Sequence, residues 1–426
     1  MNSIENNFFG SITAPTKNHT DILVMGVGGA GGNAVNHMYD LGIKDVTFMI
    51  CNTDRQALQS SPIENKIQLG SGRGAGNNPD KGKALALESL DDIMIELENS
   101  KAKMIFITAG LGGGTGTGAA PIIAKAAKSK GLLTVAIVTL PFRGEGPNRM
   151  GQALKGLDDL RENTDSMVVI HNDNISKIYG SLPVMEAFHK ADDVLATAAK
   201  GIAEMITRTD FINVDLEDVR TTMTGSGLAV MGSARTSGEN KIDLAVDKAL
   251  NSPLLNQQDI RGAKKILFNL SYAGDSSLTM DEAVRVQDAI QSKASISAGG
   301  AEANIIWGAG PSDDLLDGEI ELTVVATGFE QMGRKELHPT APSNDEERRS
   351  LAAAAASEEE EESAIKWNIT EKYKDIDSML MQPAYFRRGL QLIGSTKTAK
   401  AQIGDMIAEQ PSSEPKTTQQ DEPSLF

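Results

Sequence analysis

The segment Ala109-Gly-Leu-Gly-Gly-Gly-Thr-Gly-Thr-Gly118 restricts the folds open to this chain more than any other stretch. It follows an apolar run of strand length, Met104–Ala109, and leads into a helical stretch, Thr117–Lys128. A tight strand–helix turn needs one or two glycines, not this many. A backbone bare of side chains can instead turn its N–H groups inward around an oxyanion, and Thr115 and Thr117 add hydroxyl donors. The helix behind it contributes unpaired N–H groups and the positive end of its dipole. The segment therefore reads as a phosphate-binding loop.

Another glycine loop, Gly26-Val-Gly28-Gly-Ala-Gly31-Gly32-Asn33, follows the apolar run Ile22–Val27 in the same way and is the first in chain order, Ala109–Gly118 being the second. It satisfies GxGxxG, and Asp54 stands about where a dinucleotide fold keeps its ribose-binding carboxylate. Alone, this loop fits a nicotinamide-dependent oxidoreductase as well as anything else. Two such loops on different strands suit a triphosphate better than a pyrophosphate. A third segment, Gly72-Arg-Gly-Ala-Gly-Asn-Asn-Pro79, is either a further wall around a terminal phosphate or a turn. No GxxxxGK[ST] occurs and neither long loop contains lysine, so backbone dipoles and a metal would have to offset the phosphate charge.

The surroundings of these loops predict a doubly wound, mostly parallel α/β sheet. Apolar runs Ile22–Val27, Val46–Cys51, Met104–Ala109, Thr134–Leu140 and Met167–Ile170 alternate with helical stretches Ala30–Leu41, Asp80–Leu97 and Thr117–Lys128. Ligands of such sheets bind beyond the carboxyl ends of the strands, where the glycines fall. A long amphipathic helix, Asp192–Arg208, carries Val194, Leu195, Ala198, Ile202, Met205 and Ile206 at helical spacing. Strand-like runs Lys265–Tyr272, Ala303–Trp307 and Glu319–Thr327 follow, with one helix opened by the capping box Thr279-Met-Asp-Glu282. These predict a smaller α+β C-terminal domain.

The expected layout is a disordered extension over 1–20, a nucleotide-binding domain over 21–191 and a connecting helix over 192–208. A loop and turn at 209–224 and the second domain at 225–330 complete the folded part. Beyond it, 331–375 reads as a solvated linker with the acidic run Glu358–Glu362, and 391–426 as a disordered tail. Between them, 376–390 holds a compact apolar and basic island.

Composition narrows the partners. A net charge of -17 repels nucleic acid and leaves local backbone geometry to hold any phosphate. The single cysteine, Cys51, reads as a core residue of a cytoplasmic protein. No basic-plus-apolar leader is visible, and the most apolar run, Leu132–Leu140, is only strand-sized, so direct membrane insertion is not expected. Five scattered histidines without HExxH argue against a zinc enzyme.

Gly110–Gly118 resembles the signature loop of the tubulin/FtsZ family, and further segments similar to that family stand around it in order. They are GVGGAGGN (26–33), CNTD (51–54), GRGAGNNP (72–79), PFRGEGPNRM (141–150), ND (172–173), FHKADDVL (188–195) and NVDLEDVRT (213–221), closing with VVATG at 324–328. The resemblance implies a GTPase that exchanges GTP and GDP, with Mg²⁺ the expected metal and its ligands unassigned. The phosphates would lie on Gly28, Gly29, Ala30, Gly31, Gly32 and Asn33, on Gly74, Ala75, Gly76 and Asn77, and on Gly112, Gly113, Gly114, Thr115, Gly116 and Thr117. Glu145 and Arg149 would hold the ribose and the base or phosphate end. Asn172 and Asp193 would read the guanine edge, with Phe188 on the ring. Two positions depart from the family: PFRGEG lacks its usual aromatic before Glu145, and Asp192 replaces a usual Asn.

Asn213, Asp215 and Asp218 are the catalytic candidates. Read locally, Asp215 and Asp218 fit the cap of the next helix better than a catalytic role, because acids at the N-cap and three residues on stabilise a helix start. The resemblance implies that they enter the nucleotide site of an adjacent copy and position the attacking water. It also implies head-to-tail filaments of this chain at the division site. Pro383, Ala384, Tyr385, Phe386, Arg387 and Arg388 resemble the family's recognition peptide for membrane-tethering division proteins.

Overall fold

The computed structural model describes residues 20–329, apart from 180, 208–211, 252–259, 275–277, 295–302 and 313. The extension, linker and tail, and with them Pro383–Arg388, lie outside the described residues.

Six strands form the parallel part of the sheet: β1 (Ile22–Val27), β2 (Thr47–Asn52), β3 (Asn65–Gln68), β4 (Met104–Gly110), β5 (Leu133–Leu140) and β6 (Ser166–His171). Their order is β3-β2-β1-β4-β5-β6. Every residue of β1 and β5 is buried, and β4 is buried up to its last glycine. A strand covered on both faces has no solvent side on which to place polar residues, so it reads as an unbroken apolar run.

Helices α1 (Gly28–Asp40), α2 (Arg55–Ser60), α3 (Pro79–Glu88), α4 (Leu90–Ser100), α5 (Gly114–Ser129), α6 (Pro147–Glu162) and α7 (Asn172–Tyr179) connect these strands or follow them. The single helix expected over Asp80–Leu97 is two, broken at Ser89. The Ser89 hydroxyl accepts the Gly70 N–H at 2.9 Å, a tertiary bond that holds the break.

The long helix, α8 (Val184–Thr207), starts two turns before Asp192, and Leu195, Ile202 and Met205 on its apolar stripe are buried. After α9 (Leu216–Met223) the sheet continues through β7 (Gly227–Ser237), β8 (Lys265–Ala273), β9 (Asn304–Ser312) and β10 (Glu319–Thr327) in the order β7-β10-β8-β9. β7 joins β6 in parallel over Ser166–Val168, while β10 is antiparallel to β7 and β8. Helices α10 (Lys241–Leu250) and α11 (Met280–Ala294) cover this mixed part, and Thr279 and Glu282 form the expected capping box.

Two apolar cores result. One packs α1, α8 and α9 on the sheet through Val35, Met38, Phe106, Leu195 and Met223. The other joins α10 and α11 to the mixed strands through Val246, Ile290 and Phe268, which stacks on Trp307. Each large apolar side chain so buried contributes about 1.5–3 kcal/mol. Cys51 lies fully inside, and burial pushes its thiol far above the usual range, so it is an inert core residue.

Candidate functional site

Strand order reverses between β1 and β4, because β2 lies on one side of β1 and β5 on the other side of β4. That reversal opens a crevice at the carboxyl ends of the two strands. The two long glycine loops leave β1 and β4 at this crevice. Both run into helices whose first turns have neither a side-chain cap nor an acidic residue. Two sets of helix N–H groups are thus left to a ligand acceptor, and an anion is the charge they favour.

The loops lie against each other. A Cβ on Gly28 would stand 2.9 Å from the Gly116 nitrogen, and Gly28 also has a φ of +75°, so no side chain fits there. The Thr53 and Thr115 hydroxyls are 2.7 Å apart, tying the end of β2 to the second loop. Thr117 is buried, and its hydroxyl accepts the Gly112 N–H at 2.8 Å, so it shapes the loop from within.

The third segment also reaches the crevice. Gly74 donates its N–H to the Thr53 carbonyl at 2.8 Å, and a Cβ on Gly114 would lie 2.8 Å from the Ala75 Cβ. Asn77 holds a φ of +60°, a conformation asparagine tolerates better than most residues. Helix α3 is capped by the Asn78 side chain and carries Asp80, so this segment offers loop backbone rather than a bare helix end. Gly29, Ala30, Asn33, Gly76 and Asn77 are exposed, with Gly32, Gly74 and Gly113 partly so.

Glu145 and Arg149 pair at 3.0 Å, and Glu145 also accepts the Phe142 N–H. Their segment lies beside the second loop, since a Cβ on Gly112 would come within 2.9 Å of Arg149 Cγ. Asp173, the second residue of the ND segment, to which sequence reasoning assigned no separate role, accepts the Arg143 N–H on its carboxylate and pairs with the Arg143 guanidinium. Asn172, just past β6 on the same side of the sheet, is buried, and its Oδ1 has no hydrogen-bond partner among the described residues. A buried carbonyl without a donor is costly, so a ligand donor would fit it.

Asp193 contacts His37 Nε2 at 2.6 Å and Lys190 Nζ at 2.8 Å. Its burial raises its pKa, but Lys190 and His37 outweigh that and hold it below the usual carboxylate range. His37 lies on α1, so this pair fastens α8 to the helix that begins in the first glycine loop. Its neighbour Asp192 is pushed up to about 6, chiefly by burial. Phe188 belongs to α8, but its side chain is not among those described. Asp54, the carboxylate that favoured a dinucleotide, caps α2 by accepting the Gln56 N–H.

Asn213, Asp215 and Asp218 lie elsewhere. Asp215 is the N-cap of α9 and forms a reciprocal capping box with Asp218, at 2.8 and 3.1 Å. Helix α9 docks at the amino ends of the parallel strands: Arg220 donates to the Lys103 carbonyl at 3.4 Å, one residue before β4 begins. The second glycine loop leaves the other end of β4, seven residues and roughly 20 Å away.

Known proteins resemble this chain over most of its length. The model of the Tubulin/FtsZ family GTPase domain matches residues 21–180, and that of the FtsZ family C-terminal domain matches 227–330. A cell division protein FtsZ of Aquifex aeolicus is 44% identical over 329 residues, which is 75% of this chain and 87% of that protein. The FtsZ 2 protein of Rhizobium meliloti is 43% identical over 77% of this chain and 92% of its own length. An FtsZ dimer structure from M. jannaschii matches with TM-score 0.66 and 41% identity, covering 74% of this chain and 89% of that one.

Proposed function

The chain belongs to the tubulin/FtsZ family, and from that premise we propose that it is a self-assembling GTPase of cell division whose active site is completed between successive molecules. One molecule holds GTP in the crevice between β1 and β4, and the next supplies Asp215 and Asp218. The observation that carries this reading is the docking of α9 on Lys103, at the opposite end of β4 from the glycine loop. Within one chain the acids do not reach the phosphates. A head-to-tail contact brings them together, and a contact between unlike faces propagates as a filament.

In this reading backbone N–H groups of Gly28–Asn33, Gly74–Asn77 and Gly112–Thr117 hold the phosphates, replacing the lysine of other nucleotide loops. Asn172 and Asp193 accept from the guanine N1–H and N2 amino group, donors that adenine does not present in that pattern. Asp215 and Asp218 orient and polarise the attacking water, with Asn213 beside them. Positioning and charge stabilisation are most of what phosphoryl transfer demands of a protein. When bound, Mg²⁺ would neutralise charge on the phosphates. No cluster of three metal-ligating side chains occurs among the described residues, which suits an ion carried mainly by phosphate and water.

Among the described residues no helix is long and apolar enough to cross a membrane. Attachment of the filament at the division site is assigned to membrane-tethering division proteins that bind Pro383–Arg388, because that segment resembles the family's recognition peptide. The test of the shared site is Asp215→Ala and Asp218→Ala. Both variants should bind GTP and assemble yet release little phosphate; loss of GTP binding by the dilute variants would refute the division of labour.

A further inference from the structure

The loop that carries the acids does not end freely between α8 and α9. Ile212 forms a two-way backbone bridge with Ala309, each N–H donating to the other's carbonyl at 3.0 Å. Ala309 belongs to β9, the last strand of the sheet, so these groups face its outer edge. Beside it, Gly308 leaves room for the loop. A Cβ there would stand 2.9 Å from Asn269 Oδ1, 3.0 Å from the Ile212 carbonyl and 3.1 Å from Val214 Cγ2. Glycine inside a strand marks such close approach of another backbone. Val214 is buried while Asn213 and Asp215 on either side are exposed, so the clamp turns the polar residues outward.

We propose that Gly308 and Ala309 are positioning residues for hydrolysis: the edge of β9 fixes the register of Ile212–Val214 and thereby sets where Asp215 and Asp218 project from the molecule. This rests on the reading of those two acids as lent to a neighbouring molecule's nucleotide. The acids cannot absorb a displacement of the loop on their own, because their capping box ties them to the first turn of α9. Helix α9 is itself fixed, by Arg220 on Lys103, by Lys265 on the Thr221 carbonyl and by the Thr327 hydroxyl on the Thr222 carbonyl. A shift at Ile212–Val214 is therefore opposed at α9 and falls as strain on the acid pair, which lies between the two anchors. Reactions that depend on positioning lose about 100-fold for a misplacement of 1 Å.

Two variants attack the clamp through different atoms. Gly308→Ala pushes Ile212 and Val214 away, and Ala309→Pro deletes the outward N–H while sparing the ladder to β8. GTP affinity of the dilute protein, the sedimented fraction and phosphate release per sedimented subunit are measured for each. The expected result is affinity and sedimented fraction within twofold of the parent, with release falling tenfold or more. Adding Val214→Ala to Gly308→Ala, which removes one of the colliding methyls, should restore part of the rate. Should Ala309→Pro disturb folding, Gly308→Ala and its rescue carry the test alone.

Parent rates in the folded clamp variants would overturn the proposal, as would a loss of GTP binding in them or a failure of Val214→Ala to restore any activity. An Asp218→Asn control separates the two layers. If that variant also hydrolyses at the parent rate, the shared-site reading fails; if it is inactive while the clamp variants are fully active, only the clamp fails.

Discussion

The hydroxyls of Thr53 and Thr115 lie 2.7 Å apart although 62 residues separate them. This contact joins the end of β2 to the glycine loop after β4, and Thr53 also receives the Gly74 N–H on its carbonyl. One residue therefore touches two of the three glycine-rich segments around the crevice. Thr53→Val removes only the hydroxyl bond, worth about 1 kcal/mol. GTP affinity of the dilute protein, measured by calorimetry, is expected to weaken roughly fivefold.

Glycines of the second loop should divide by the space around them. A Cβ on Gly118 would stand 2.0 Å from the Pro79 carbonyl oxygen and 2.7 Å from the Lys83 nitrogen, both backbone atoms. A Cβ on Gly113 would meet nothing within 4 Å among the described residues, and Gly113 has a φ of −94°. Gly118→Ala should therefore force α3 and α5 apart and cost about 3 kcal/mol or more. Gly113→Ala should leave the denaturation midpoint nearly unchanged, and chemical unfolding of both variants checks the contrast.

The capping box and the chemistry at Asp218 can be separated. Asp218→Ala removes the acceptor of the Asp215 N–H and should cost about 1 kcal/mol of stability. Asp218→Asn keeps an acceptor oxygen there and should melt at the parent temperature. Both should hydrolyse GTP poorly, so thermal melts and phosphate release together distinguish a lost cap from a lost carboxylate.

Asp192 gives the stability a pH dependence. Its pKa is pushed up to about 6 by burial, from 3.8 unperturbed, although His37 and His189 oppose the shift. The folded protein then binds more protons at this site than the unfolded chain. Its contribution is fully present below about pH 4 and is lost as pH rises through about 6. Allowing for solvent screening of a partly exposed group, the change is about 1–2 kcal/mol. Asp192→Asn should remove that slope and raise stability at pH 7, as denaturation at several pH values will show.

Where burial is complete the sequence and the fold agree closely. The run Ile22–Val27 is β1 to the residue, and Glu319–Thr327, buried except for the partly exposed Glu319 and Glu321, is β10. β3 went unrecognised because Asn65 and Lys66 are exposed and give it no apolar pattern, and β7 because glycine and serine interrupt it. The first turns of α8 carry exposed Glu186 and His189, so the apolar spacing that marks the helix begins only later. The break at Ser89 depends on a bond from Gly70 that no local pattern encodes.

The site was legible to the same limit. The glycine loops of the candidate site stand out, because a strand–helix turn alone does not need so many glycines. The approach of Ala75 to Gly114, the pairing of His37 with Asp193 and the clamp of Ile212 on Ala309 join distant segments, and only the assembled chain displays them.

Specific GTPase activity measured against protein concentration, with sedimentation in parallel, tests the shared site most directly. Almost no phosphate release is expected below a threshold concentration, with a steep rise at the concentration where sedimenting polymer first appears. A constant rate per molecule, extending down to concentrations at which the protein is wholly monomeric, would contradict it.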